Sequence, residues 1–465
     1  MLKLRHPYLI LHHFFLLSFT LFLVEFNISR ISYAADEQNS ASYITLDKAI
    51  QEALTANIGI RISAENIQAA LNREKSSRAA FYPSLSATYQ YQHNDEASEV
   101  KIPIPGAESN PIKITLTPEE RYSFSTTVTQ PIFAGMSILN QYKISELGVS
   151  QAKFQEAITR QDIISQTKSL YFNLLKTNKL NAVAEQSVTL LQAHRNVAEN
   201  FHKVGMSPLN DLLKAEVELA NARQDLVRAQ NALTLAESNL NLLLRRSVNT
   251  PIMPKDISNY ETFDKDLETC LKTAEENRLE MQIADIDIQI REKELALTRK
   301  DFYPAVNLQG TYTRIGDQWD VNGDDNMDAD SWNIQAIATW TFWDWGKTQY
   351  GAEEQKHRVS QSRLKKLQIQ DQITLEVKEA FLKAKESEKN IATVEKAVAQ
   401  AQESHRISEE RYNEQMATST DVLDAQTLLT QTRTNYYNAL YDFEISKASL
   451  DRAMGLPLQT LKDNN

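Results

Sequence analysis

Between Gly351 and Gly455 the chain runs for 103 residues, Ala352 to Met454, without a glycine or proline. Apolar residues such as Leu364, Leu367, Ile373, Phe381, Ala384 and Ile391 recur at threes and fours among Glu, Lys and Gln, the period of a helix with one apolar stripe. A helix from Lys347 to Glu414 reaches about 100 Å at a rise of about 1.5 Å per residue. Compact domains rarely use more than three or four turns, so a segment this long spans something. Met136 to Leu244 has the same character, interrupted only by Gly148 and by Gly205 to Pro208, and its parts recur in order. The chain reads as a tandem duplication, with repeats over 35–250 and 251–465.

Only 11 Gly and 12 Pro punctuate 465 residues, so the elements are few and long. Lys3, Arg5 and His6 precede an apolar run through Phe14, Leu17, Leu21 and Val24, then small residues at Ser32, Ala34 and Ala35. That is the layout of a secretory signal over 1–34; a retained anchor is the competing reading, opposed by the Ser-Tyr-Ala-Ala cleavage site. Its removal takes away three basic residues and one acid, moving the formal charge from -11 to -13. An acidic exported chain is a poor partner for nucleic acid. Cys270 is the only cysteine, which excludes a disulfide within the chain and a cysteine metal cage. Beyond the N-terminal run no stretch has the apolar length of a spanning helix. A bilayer crossing would have to be made by strands.

Thr45 is placed to cap a first short helix, and Phe81-Tyr82-Pro83 stops the next, because proline disfavours helix in the residue before it. Leu85, Ala87, Tyr89 and Tyr91 then alternate with Ser86, Thr88, Gln90 and Gln92, as Tyr122, Phe124, Thr126 and Val128 do with Ser123, Ser125, Thr127 and Thr129. Period two with one oily and one wet face is strand. Asn94 to Arg121, with its prolines and Gly106, reads as loop. A long helix runs from Met136 to about Lys203, where Gly205 can take the left-handed position after a helix end and Ser207 can cap the next helix with Pro208 in its first turn. Phe302-Tyr303-Pro304 then repeats the stop, and a second pair of alternating segments follows, ending in Trp340, Phe342 and Trp343.

Each strand is about ten residues, enough to cross a bilayer at a tilt, with faces suited to lipid and water. Tyr82, Phe133, Tyr303, Trp343 and Trp345 lie where strands join helices, as in an interfacial girdle. The alternative, hairpins of a soluble sandwich, lacks the other strands it needs. Four strands cannot close a barrel, and an open edge in lipid leaves backbone groups unpaired. Several copies must therefore join.

Tyr82-Pro83-Ser84-Leu85, Gln130-Pro131-Ile132-Phe133, Val204-Gly205-Met206 and the run from Tyr412 to Asp421-Val422-Leu423-Asp424-Ala425 resemble the TolC family of outer-membrane efflux proteins over essentially the whole mature chain. The resemblance implies a mainly α fold with transmembrane β: a homotrimer whose 12-stranded β-barrel continues as a 12-helix α-barrel in the periplasm. It also implies docking to a periplasmic adaptor and an inner-membrane transporter, in a tripartite efflux or type I secretion system that exports drugs, metals or proteins.

Asp421 and Asp424 share one helical face, and a threefold assembly would gather six carboxylates that favour cations and restrict a pore. The resemblance implies that these acids line the periplasmic aperture, with Asp211 at the matching place in the first repeat, and that Tyr412 matches a residue of the network that keeps the aperture shut. The plainer account makes Asp421 and Asp211 first-turn acids at the positive end of a helix dipole. Val204, Gly205 and Met206, and more weakly Met416 and Ala417, resemble adaptor-docking tips, although a plain helix turn also explains them. Ala417 stands where other members carry a latching Arg, and Gln415 replaces the Gly expected at the second tip. Asp320 to Asp325 has calcium-like acids but a misplaced glycine and no closing Glu. The histidines show no metal spacing and no nucleotide or nucleophile motif appears, so no metal, cofactor or enzyme activity is expected. A periplasmic adaptor with one long hairpin is the alternative; it would need compact Gly-rich β-domains rather than two equal repeats.

Overall fold

A computed structural model describes residues 42–103, 112–256, 262–323 and 329–456; the signal segment over 1–34 lies outside them. The elements run in two series. The first is β1 (Ser42–Ile44), α1 (Leu46–Ala56), α2 (Ile58–Ala79), β2 (Ser84–His93), β3 (Ser98–Ile102), β4 (Ile112–Thr117), β5 (Glu120–Ala134), α3 (Ser137–Lys203) and α4 (Leu209–Leu244). The second is β6 (Ile252–Pro254), α5 (Leu267–Asn277), α6 (Leu279–Thr298), β7 (Ala305–Gly316), β8 (Asp330–Thr339), α7 (Lys347–Asn413) and α8 (Ser419–Ala453).

The helices α3 and α7 are each 67 residues, and they carry everything else. α3 packs beside α2, α6, α4 and α8, while α7 packs beside α6 and α8. Two four-helix layers thus share two through-running helices. Outside the strand region, the second series repeats the first at a fixed spacing on each side of it, 221 residues before the strands and 210 after them. Residues 46–56 return as 267–277, and residues 137–203 as 347–413. Left-handed backbone recurs at Gly135 and Trp345, Met136 and Gly346, Gly205 and Gln415, and Arg245 and Gly455, each pair 210 apart.

The buried cores match the same way. Ala49, Ala53 and Leu240 are fully buried with Tyr171, Leu174 and Tyr441 in one cluster; Cys270, Ala274 and Leu450 hold the corresponding places in another with Val377, Phe381 and Ala384. Cys270 fills Ala49's position as a small apolar group, and burial pushes its thiol pKa up, so it is inert packing. The Tyr171 hydroxyl lies 2.7 Å from the Lys255 carbonyl and 3.0 Å from that of Ile44. It thereby ties α3 to the parallel ribbon of β1 and β6.

The four long strands form one antiparallel sheet in the order β2-β5-β7-β8. Leu85 faces Val128, Tyr89 faces Phe124, Val128 faces Gly310 and Tyr312 faces Trp332, so the oily residues share one face. The outer strands β2 and β8 are exposed along their whole length.

Three expectations need correction. The segment from Asn94 to Arg121 contains a hairpin, β3 paired with β4; in the sequence the prolines and Gly106 between the two strands mask their short alternations. The last strand ends at Thr339 rather than Phe342, because Thr339 pairs with Ala305, the first residue of β7, and nothing on the other side continues the ladder. Ser207 does not cap α4: Pro208 occupies the cap position, with no side-chain hydrogen bond.

Candidate functional site: the helical tips

Far from the sheet, each long helix turns back through the same backbone device. In the first turn Gly205 N–H donates to the His202 carbonyl (3.0 Å) and Met206 N–H to that of Phe201 (2.8 Å); in the second, Gln415 N–H donates to Tyr412 (2.9 Å) and Met416 N–H to Arg411 (2.7 Å). This paired ending satisfies orphan carbonyls and needs a left-handed residue at its corner. Gly205 (φ 77°) supplies it in one turn and Gln415 (φ 61°) in the other. Val204, Met206 and Met416 are exposed at the extremity, and Ala417 is half-buried beside them.

The return helices begin differently. In α8, Thr418 accepts from Asp421 N–H, and the Asp421 carboxylate accepts from the Thr418 N–H and hydroxyl, both at 2.8 Å. Those hydrogen bonds hold the Asp421 pKa below the usual carboxylate range, the backbone one most. Asp421 therefore closes a reciprocal cap. Asp424 follows on the same exposed side of α8, whose other side buries Val422, Leu423, Ala425 and Gln426. In α4 Asp211 holds the corresponding third position, behind a proline that cannot cap. Lys214 of α4 reaches across to the Thr420 hydroxyl at 3.1 Å.

Behind the tips lies a buried polar cluster that periodicity alone did not single out. His194 of α3 is 2.8 Å from the Ser419 hydroxyl, and its ring lies 4.9 Å from that of Tyr412. The Tyr412 ring also packs on Phe201 at 5.5 Å. Its hydroxyl is buried without a hydrogen bond of ordinary geometry. Burial, then the nearby charge of Asp211, raise the Tyr412 pKa. Tyr412 and Asp211 are thus neighbours, and Asp421 and Asp424 lie on the outer side of the same hairpin. The histidines were legible in one respect: His194 stands in the buried row Leu191, His194, Ala198, and His405 in the row Ala401, His405, Tyr412.

At the opposite end the aromatic residues gather at the junction of sheet and helices. Phe133 meets Tyr303 edge to face at 6.4 Å, and Trp343 meets Trp345 at 5.6 Å. Tyr82, Tyr303, Trp343 and Trp345 are all more than half exposed. In the acidic loop Asn322 bonds Asp320, while Asp324 and Asp325 lie outside the described residues. Among the described residues no group of three or more potential metal ligands is present, and no helix is long and apolar enough to cross a membrane.

The outer membrane protein TolC of Escherichia coli (strain K12) is 23% identical, with 93% of this chain and 85% of TolC aligned. The crystal structure of the Campylobacter jejuni CmeC outer membrane channel superposes with a TM-score of 0.75 at 16% identity, covering 88% of this chain and 85% of that one. The outer membrane protein VceC of Vibrio cholerae gives 0.71 at 16% identity, covering 88% and 96%. A family model described as outer membrane efflux protein matches residues 49–244 and 270–456, two stretches that open on the equivalent residues Ala49 and Cys270. The chain belongs to the outer membrane efflux protein family.

Proposed function

We propose that the protein is the passive outer-membrane duct of a tripartite efflux or type I secretion system, built from three copies of this chain. The observation that carries this reading is the sheet with two free edges. Four strands of ten to fifteen residues have a lipid-compatible face, yet the outer edges of β2 and β8 have no partner strand among the described residues, and open edges are not tolerated in lipid. Three copies give a 12-stranded barrel, with the two-layered helices continuing it as a 12-helix periplasmic barrel. The helical flanks support this. Exposed Leu213, Val217 and Val227 of α4, and Leu364, Leu367 and Leu375 of α7, are apolar surface that a neighbouring copy would cover. The regular spacing of the two series, 221 residues before the strands and 210 after them, supports an internal duplication over 35–250 and 251–465. The junction aromatics Tyr82, Phe133, Tyr303, Trp343 and Trp345 suit the membrane interface.

On this reading the tips form the periplasmic aperture, where Asp421, Asp424 and Asp211 contribute acid and Tyr412 holds the two hairpins together. The exposed Val204, Gly205, Met206 and Met416, with the half-buried Ala417 beside them, are the surface offered to a periplasmic adaptor, which links the duct to an inner-membrane transporter. The duct performs no chemistry. The adaptor alternative finds no support in a chain whose two long hairpins are equal. The test is single-channel recording of the reconstituted protein. The parent should conduct and be blocked by divalent cations, and Asp421→Asn with Asp424→Asn should weaken the block by at least several-fold, since each protomer loses two facing carboxylates. Identical block in both proteins would remove the acids from the pore.

A further inference from the structure

The seam in which α3 meets the α7–α8 hairpin has little apolar adhesive near the tips: Leu191, Leu219, Ala222 and Leu423 form one small cluster. The rest is polar. The Thr430 hydroxyl lies 3.4 Å from that of Ser187 and 3.1 Å from the Gln426 amide, and Arg433 bonds both Gln186 and Gln402. Within this seam sit two histidines, His194 and His405, each only 8% exposed. His194 reaches from α3 to Ser419, the first helical residue of α8. The groups facing it are Tyr412 and His405 from α7, Ser419 from α8 and Asp211 from α4. His405 faces Arg433 from α8 and lies 4.0 Å from Glu409 one turn along its own helix.

We propose that His194 and His405 form a proton-operated latch on the aperture: neutral, they hold the α7–α8 tip against α3, and protonated, they release it. The latch rests on the duct reading for its purpose and on the seam for its mechanism. A neutral imidazole can pack against Tyr412 and bond one hydroxyl, whereas an imidazolium needs two acceptors and water. Burial, reinforced by His405 and only partly opposed by Asp211, lowers the His194 pKa to about 4; burial, with Arg433 and against Glu409, lowers that of His405 as well. A released hairpin returns both rings to water, where histidine titrates near 6.5. The open form therefore takes up protons that the closed form refuses. The closed form is favoured fully above about pH 6.5 and loses its advantage as the pH falls toward the lowered value. For His194 alone, moving from pH 7 to 5.5 shifts each protomer toward release roughly tenfold.

Hydrogen exchange on the purified full-length protein in detergent, corrected for intrinsic rates and read at residues 419–430, tests this. The parent should exchange there roughly tenfold faster at pH 5.5 than at pH 7, with more frequent opening in bilayer recordings at the lower pH. His194→Gln, which keeps an amide to bond Ser419 but cannot take a proton, should flatten the response, and adding His405→Gln should abolish it. Ser187→Cys with Thr430→Cys, once oxidised, should hold the seam shut at both pH values until reduced. Equal protection of the parent at the two pH values, or an undiminished acid response in the double glutamine variant, would overturn the latch. Exchange is read on the seam itself, so a parent that never conducts would count against the duct while the exchange result still decides the latch.

Discussion

At the scale of the residue, the two tips show how one backbone requirement is met by different side chains. Both corners need left-handed backbone, and Gly205 declares its corner in the sequence while Gln415 conceals the other. A non-glycine residue there costs about 1 kcal/mol, a strain the following cap offsets. Thr418 and Asp421 exchange hydrogen bonds at the start of α8, where Pro208 gives α4 none. Thr418→Ala should therefore cost about 1 kcal/mol and speed hydrogen exchange in the first turn of α8. Unchanged exchange there would mean that the cap holds nothing. The cap also has a pH sign. Because Asp421 titrates below the ordinary 3.8, its contribution is present above that value and is lost as the pH falls through the lowered one. The role of Asp421 as a first-turn acid was legible from its position after the tip. Its partner was not, since a Thr before a helix is common and only the backbone shows which oxygen meets which N–H.

At the scale of the element, periodicity carries the reading of the long helices and fails at short edges. The 67-residue α3 and α7 repeat a three-and-four pattern many times, so tertiary contacts need not correct it. Strands β3 and β4 are five and six residues long, and their neighbouring prolines outweigh so few alternations. β8 stops five residues short of its counterpart: β5 has 15 residues and β8 has 10. β5 continues past Thr129 because β7 pairs with it on the far side, up to Ala134 with Ala305, whereas β8 has no strand there within one chain. The matching cores make a further prediction. Leu240 and Leu450 are 0% and 1% exposed at equivalent places in the two series. Truncation of either to Ala should cost about 2–5 kcal/mol and lower the urea midpoint of the helical circular dichroism signal to a similar degree. Loss at only one of the two would show that the series are unequal in energy despite their common geometry.

At the scale of the whole molecule, the same repetition yields a prediction of how copies would meet in the proposed trimer. Within the chain, Val128 of β5 faces Gly310 of β7. The residue corresponding to Val128, 210 later, is Ala338 of β8. The residue corresponding to Gly310, 221 earlier, is Tyr89 of β2; the two spacings differ because the first hairpin is longer. If one rule joins every strand pair, Ala338 of one copy faces Tyr89 of the next, and both already lie on the oily face. Residues 340–344 would then gain the partner strand they lack. The proposal that other copies complete the sheet starts from the sequence, from four short amphipathic strands and no more. Which residues face each other across the gap was not, because register is set by hydrogen bonding that only the folded sheet displays. The direct measurement is oxidation of full-length protein carrying both Tyr89→Cys and Ala338→Cys, with the single variants as controls; directly opposed strand positions are close enough for a disulfide or a short crosslink, and buried Cys270 stays out of the reaction. The account predicts a reducible product of three chains from the double variant alone, whereas a product that remains a single chain, or one that extends past three, would contradict it.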